Sequence, residues 1–173
     1  MSDACCVRRL PTTICWERCL RAGCAHGLDS GFLVAAELAE HVDHAAARSE
    51  LARLLALGDR FALTPQVLTE FIHVVTDPRR FAPPLEMTDA RRLAEQWWTA
   101  RDVDQVFPDG DAVLQFLAWL ELHRLGRERL LDTLLAATYR SAKINSLLTT
   151  NPHDFEVLGG FTCIVPRAPS PAP

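Results

Sequence analysis

Apolar residues recur along this chain in two alternating rhythms: short runs of three or four, and longer stretches spaced at three and four. The short runs suit strands buried in a parallel sheet, and the longer ones suit amphipathic helices packed on it. From residue 25 onward the alternation predicts an α/β domain with a central parallel sheet flanked by helices in three layers. A first strand ends at Leu28 and Asp29, and Ser30 can cap a helix carrying Phe32, Leu33, Ala36 and Leu38. A second helix follows Asp43 through Ala47, Leu51, Leu54 and Leu55 and stops at Gly58, before a strand at 61–63. Thr64 followed by Pro65 is an N-cap with a proline at the first helical position, predicting a helix over 65–76 that ends before Asp77-Pro78.

The second half repeats the theme. A helix over 88–101 carries Leu93, Trp97 and Trp98, whose indoles read as packing or dimer surface rather than chemistry. A short strand at 103–107 and a turn at 108–110 lead to a helix over 111–125, with Val113, Leu114, Leu117 and Leu120 expected inward. A long helix over 130–143 enters an apolar strand at 146–149, and a last strand covers 162–165. No apolar run approaches the roughly 20 residues that a membrane span needs.

Against this apolar background a few polar positions stand out. Asp29 falls at the carboxyl end of a strand, where open α/β sheets bind ligands. Glu70 lies in mid-helix with Val67 and Val74 three before and four after it, on an apolar face. Asp132 opens the helix LLDTLLAA, and Thr149, Asn151 and Asp154 cluster in LLTTNPHDFE. Each has a plain alternative: Asp29 as a turn or cap residue, Glu70 as a helix-edge acid, Asp132 as a first-turn acid facing the helix dipole. Taken together they read as one divalent-metal site, because grouped carboxylates without a cation repel one another and Mg²⁺ or Mn²⁺ takes oxygen ligands. His73, His123 and His153 lack ligand spacing, and no G-x-S-x-G, Walker A or Rossmann glycine pattern is present.

Composition narrows the picture. With 173 residues, 49% of them hydrophobic, the chain can bury one core without disulfides. A net charge of -4 argues against a broad basic nucleic-acid surface, so phosphate recognition would be local. Five of the six cysteines lie in the first 24 residues, together with Arg8, Arg9, Arg18 and Arg21. Cys15, Cys19, Cys24 and His26 lack the paired spacing of a zinc site, so residues 1–24 read as an extension, disordered or not native. The domain is expected over 25–166, followed by a Pro-rich tail at 167–173, and the absence of an apolar segment after Arg9 argues for a cytoplasmic protein.

The ordered segments LDSGFLVA, LTPQVLTEFIHVVTDPRRF and LLDTLLAATYRSAKINSLLTTNPHDFE resemble a PIN domain, more narrowly the VapC-like toxin ribonucleases of bacterial toxin-antitoxin pairs, over about residues 25–165. The resemblance implies a metal-dependent endoribonuclease with Asp29, Glu70 and Asp132 as its first three acids. It also implies a homodimer held inactive by an antitoxin protein whose C-terminal segment fills the acidic groove. Asn151 stands where the family often has Asp, so either Asn151 or Asp154 completes the site, and Thr149 matches the family's small hydroxyl residue. Asp29 and Asp132 would be direct ligands, and Glu70 either a ligand through water or the general base. The substrate would be a single strand or loop, since a small pocket cannot read an A-form duplex. Arg127, Arg129 and Arg140 are candidate phosphate contacts, with helix surface charge as the plainer role. Two competing readings remain: a catalytically reduced PIN domain that binds RNA or protein without cutting, and a metal-dependent DNase.

Overall fold

A computed structural model describes residues 23–166. Five parallel strands, β1 (Ala25–Leu28), β2 (Arg60–Leu63), β3 (Val103–Gln105), β4 (Ser146–Leu148) and β5 (Thr162–Ile164), form one sheet in the order β3-β2-β1-β4-β5. The described helices are α1 (Ser30–Glu37), α2 (His44–Ala56), α3 (Pro65–Val75), α4 (Met87–Trp98), α5 (Gly110–Leu122), α6 (Leu130–Ser141) and the short α7 (His153–Glu156). A 3-10 turn at Arg127–Arg129 leads into α6. This is the expected α/β architecture. The chain winds outward from β1 through β2 to β3, then returns to the other side of β1 for β4 and β5. The order therefore reverses at β1, and a reversal opens a crevice at the carboxyl edge of the sheet.

The core is continuous across the sheet: Phe32 and Leu33 from α1, Phe61 and Leu63 from β2, Phe71 from α3, Leu135 and Tyr139 from α6, and Leu147 and Leu148 from β4 are all buried. β1 reads weakly as a strand, being AHGL, yet it is the central one. Its glycine explains this. A Cβ on Gly27 would lie 2.7 Å from the ring of Tyr139, so only glycine lets α6 approach the strand so closely. The buried Tyr139 hydroxyl then donates to the carbonyl of Leu28 at 2.7 Å, lies 3.0 Å from that of Ala62, and accepts the Leu28 amide at 3.2 Å. One phenol thus ties the carboxyl ends of β1 and β2 to α6, a role the sequence pattern did not reveal.

Local signals held where the chemistry was specific. Thr64 caps α3 by accepting from the amide of Val67 at 3.3 Å, with Pro65 in the first helical position. Asp29, not Ser30, occupies the N-cap position of α1, and its side chain makes no capping bond. α4 begins at Met87 behind Glu86, one residue before the expected start at 88, and ends at Trp98. α5 begins earlier than expected, capped by Asp109, which accepts from the amide of Ala112 at 2.7 Å. The inward assignment on this helix is corrected: Val113, Leu114 and Leu117 are exposed, and Ala112 and Trp119 face the core. Periodicity alone does not say which of two apolar faces packs, and the bulky Trp119 took the buried side. Trp97 is buried with its indole donating to Glu37 at 2.9 Å, and Trp98 packs edge-on against Phe107, so both tryptophans serve packing. No described helix is long and apolar enough to cross a membrane. Cys15 and Cys19 of the zinc reading lie outside the described residues.

Candidate metal-dependent nuclease site

Parallel register brings the first two site residues together. Leu28 pairs with Leu148, so Asp29 and Thr149 leave adjacent strands side by side, with the Asp29 amide donating to the carbonyl of Leu148 at 3.0 Å. The fully buried Thr149 donates its hydroxyl to Oδ2 of Asp29 at 2.8 Å and accepts the amide of Asn151 at 3.0 Å. Thr149 therefore stands behind Asp29 and orients it. Gly31 permits the next loop to close: a Cβ there would lie 2.5 Å from the hydroxyl of Thr150.

Glu70 arrives from the middle of α3 and Asp132 from the first turn of α6. Asp29, Glu70, Asp132, Asn151 and Asp154 all line one cavity of about 350 Å³ at the carboxyl edge of the sheet. Val34, Val74, Phe81, His41, Thr150 and Arg80 also line it. Sequence reasoning missed His41, Arg80 and Phe81; the run DPRRF placed directly after α3 was the signal for the last two. A second cavity, of about 240 Å³ between α2, α4 and the sheet, holds mixed apolar and charged residues and no such cluster of acids.

The electrostatics of the acidic cavity are those of crowded like charges. The carboxyl of Asp29 is pushed up to about 6, first by burial and then by the negative charges of Glu70 and Asp154, against the lowering effect of the Thr149 hydroxyl. That of Asp132 is pushed up to about 7 by partial burial, then by Asp154, Asp29 and Glu70, while Arg129 acts in the opposite direction. Asp29 and Asp132 therefore both feel the charges of Glu70 and Asp154 across the cavity. Among the described residues, no three His, Cys, Asp or Glu side chains are gathered so as to hold a metal ion as they stand.

Asn151 and Asp154, the two candidates for completing the site, are hydrogen-bonded to each other. The Asn151 amide nitrogen donates to Oδ2 of Asp154 at 2.6 Å, while Oδ1 of Asp154 is paired with Nη1 of Arg129. Arg129 is consequently not free for phosphate. Arg140 is likewise engaged, with Asn145 at 3.2 Å, with the Gly159 carbonyl at 2.9 Å and over the ring of Phe161. None of Arg127, Arg129 and Arg140 lines the cavity, so Arg80 is the arginine placed to meet a ligand there.

Solved structures with this arrangement of elements identify the fold. VapC20 of Mycobacterium tuberculosis, a toxin that cleaves the sarcin-ricin loop, superposes with a TM-score of 0.57 at 19% identity, covering 74% of this chain and 91% of that one. VapBC-1 of nontypeable Haemophilus influenzae gives 0.58 at 15% identity, covering 82% and 97%. VapBC2 of Rickettsia felis, bound to a DNA fragment from its promoter, gives 0.57 at 17% identity, covering 82% and 98%. The fold is that of a VapC-like PIN domain. Comparison by sequence matched neither a family model nor a curated protein, so the likeness to VapC structures is one of fold.

Proposed function

We propose that this VapC-like chain is a metal-dependent endoribonuclease acting as the toxin of a toxin-antitoxin pair. The observation that carries the reading is the meeting of Asp29, Glu70 and Asp132, from three distant segments, in one cavity at the switch point of the sheet. The raised carboxyls of Asp29 and Asp132, shifted first by burial and then by neighbouring acids, have no structural benefit by themselves, and such perturbation concentrates at functional sites. The donor set suits Mg²⁺ or Mn²⁺: oxygen ligands only, excess negative charge, and a cavity large enough to keep water on the ion. Since no three acids are gathered in the metal-free arrangement, uptake would draw the side chains inward.

In this reading Asp29 and Asp132 hold the cation, with Glu70 either a ligand through water or the base that orients the attacking water. The ion supplies a positive centre beside the phosphoryl oxygens and a water of lowered pKa. Thr149 keeps Asp29 turned to its task through the 2.8 Å hydrogen bond. Arg80 in the lining offers a phosphate contact, and Val34, Val74 and Phe81 supply apolar lining beside the acids. The substrate in this reading is a single strand or loop, because a small pocket does not read an A-form duplex. The VapBC structures contain an antitoxin beside the toxin, and a protein inhibitor of the same kind is proposed for this chain. A homodimer is proposed through α5, which leaves Leu114 67% and Leu122 72% exposed on one apolar face. Leu114→Lys with Leu117→Lys should convert dimer to monomer by light scattering.

The deciding experiment incubates purified protein and Mn²⁺ with single-stranded RNA and with single-stranded DNA. Cleavage of RNA by wild type but not by Asp29→Asn supports the proposal; equal cutting of DNA would move it to the DNase class. A second reading, a binding module without catalysis, is favoured by the dispersal of the acids and by the engagement of Asp154 with Arg129. Calorimetry separates the two, because absence of any Mg²⁺ or Mn²⁺ heat would favour the module.

A further inference from the structure

The residue that makes this acidic cavity unlike a plain ring of carboxylates is Arg129. It belongs to the turn just before α6, and its side chain and that of Asp154 are 19% and 20% exposed. Nη1 holds Oδ1 of Asp154, while Nη2 donates to the Asp154 carbonyl at 2.6 Å and lies 3.2 Å from that of His153. Its Nε is buried without a hydrogen-bond partner, so the whole grip is made by the two terminal nitrogens. The second carboxylate oxygen of Asp154 accepts from Asn151 at 2.6 Å. Both oxygens of an acid that lines the cavity are therefore taken by protein donors. Asn151 continues the connection, since its amide donates to Thr149 and Thr149 donates to Asp29. One run of hydrogen bonds links Arg129 to the carboxylate at the switch point, and the fully buried Phe155 anchors the short helix that carries Asp154.

We propose that Arg129 is a positioning residue that withholds Asp154 from the cation, leaving Asp29 and Asp132 to hold it, with Glu70 acting through water or as the base. The inference rests on the metal-dependent reading above. A guanidinium gripping both a carboxylate and the backbone around it is a fixed internal counter-charge. It lowers the negative potential of the cavity and keeps one of its acids from reaching the ion. Losing Arg129 would free Asp154 as a ligand and remove the positive charge that offsets it, so the cation should bind more tightly when Arg129 is removed. A phosphate-contacting arginine predicts the reverse pattern: unchanged metal affinity and weaker binding of RNA.

The test is a Mn²⁺ titration by calorimetry on the full chain, with melting temperatures taken with and without Mn²⁺. Arg129→Gln is expected to raise Mn²⁺ affinity by about tenfold, because attraction grows with each added carboxylate. Its metal-free melting temperature should fall and its Mn²⁺-induced rise should exceed that of wild type. Asp154→Asn should change affinity by less than about threefold, and the double variant should return near the wild-type value. Arg129→Lys, which keeps the charge and loses the forked grip, should lie between wild type and Arg129→Gln. Unchanged or weaker affinity in Arg129→Gln overturns the inference, as does a tenfold or greater loss in Asp154→Asn, which would make Asp154 a direct ligand. Should Arg129→Gln not fold, the Asp154→Asn result decides alone. Failure of wild type to take up Mn²⁺ sinks the metal-dependent reading itself, a result distinct from any of these.

Discussion

Two polar clusters sit at opposite ends of β1, three residues apart, and they are built on opposite principles. At the amino end His26 is 6% exposed and Asp59 9%; at the carboxyl end Asp29 is 7% exposed. Burial is therefore the same. Partnership is not. His26 meets the hydroxyl of Ser146 at 2.7 Å through Nδ1 and Oδ2 of Asp59 at 3.1 Å through Nε2, and Oδ1 of Asp59 accepts the amide of Cys24 at 2.7 Å. Donors and acceptors of complementary character close on one another and pin β1, β2 and β4 in register. At the other end, carboxylates face carboxylates across a cavity, and burial and repulsion raise their pKa values. A buried polar group that is matched stabilises the fold, and one left in conflict marks a site that awaits a ligand.

That contrast is sharpest in mutagenesis. Asp132→Asn or Asp29→Asn should reduce RNA cleavage by about 10²-fold or more, the scale for loss of a group acting on the transition state, while leaving the metal-free melting temperature unchanged or higher. A fall in melting temperature alongside retained cleavage would show that the acids are structural. Next in size, His26→Ala or Asp59→Ala should destabilise the protein by roughly 2–4 kcal/mol, because the remaining partner is stranded in a buried position. Urea unfolding measures this, and the activity per folded molecule should not change.

The pH dependence of stability comes next. A carboxyl whose folded pKa lies above its unfolded value binds its proton more tightly when folded, so the stability it contributes is greatest at low pH and is lost as pH rises through the folded value. For Asp29 and Asp132 that window runs from the ordinary 3.8 up to about 6 and about 7. Metal-free wild type should therefore lose on the order of 1–3 kcal/mol between pH 4 and pH 8 relative to an Asp29→Asn/Asp132→Asn variant, most of it from the buried Asp29. Parallel curves for the two proteins would mean that the folded protein does not raise these carboxyls. The smallest effect is expected from Ser146→Ala, about 1 kcal/mol or less for one hydrogen bond, with cleavage intact.

Much of this site was legible in the chain. Asp29 could be placed because a strand-to-helix change at a short apolar run defines where the strand ends. Glu70 and Asp132 could be placed because the helices bearing them carry clear signals, Thr64-Pro65 in one and an apolar spacing in the other. The grip of Arg129 on Asp154 was not legible, since the two are 25 positions apart and either could equally have faced solvent. Nor was the outward face of α5, where apolar residues surround the helix and packing alone selects the buried ones.

What the sequence by itself determined was the alternation of strands and helices and which acids lie at their ends, because hydrophobic period and caps act over a few residues. Tertiary structure alone decided that Thr149 would stand behind Asp29, that Tyr139 would bind two strand ends, and that Asp154 would be held by Arg129. These pairings depend on strand register and on the angle at which helices meet the sheet, and both are set by packing of the whole core.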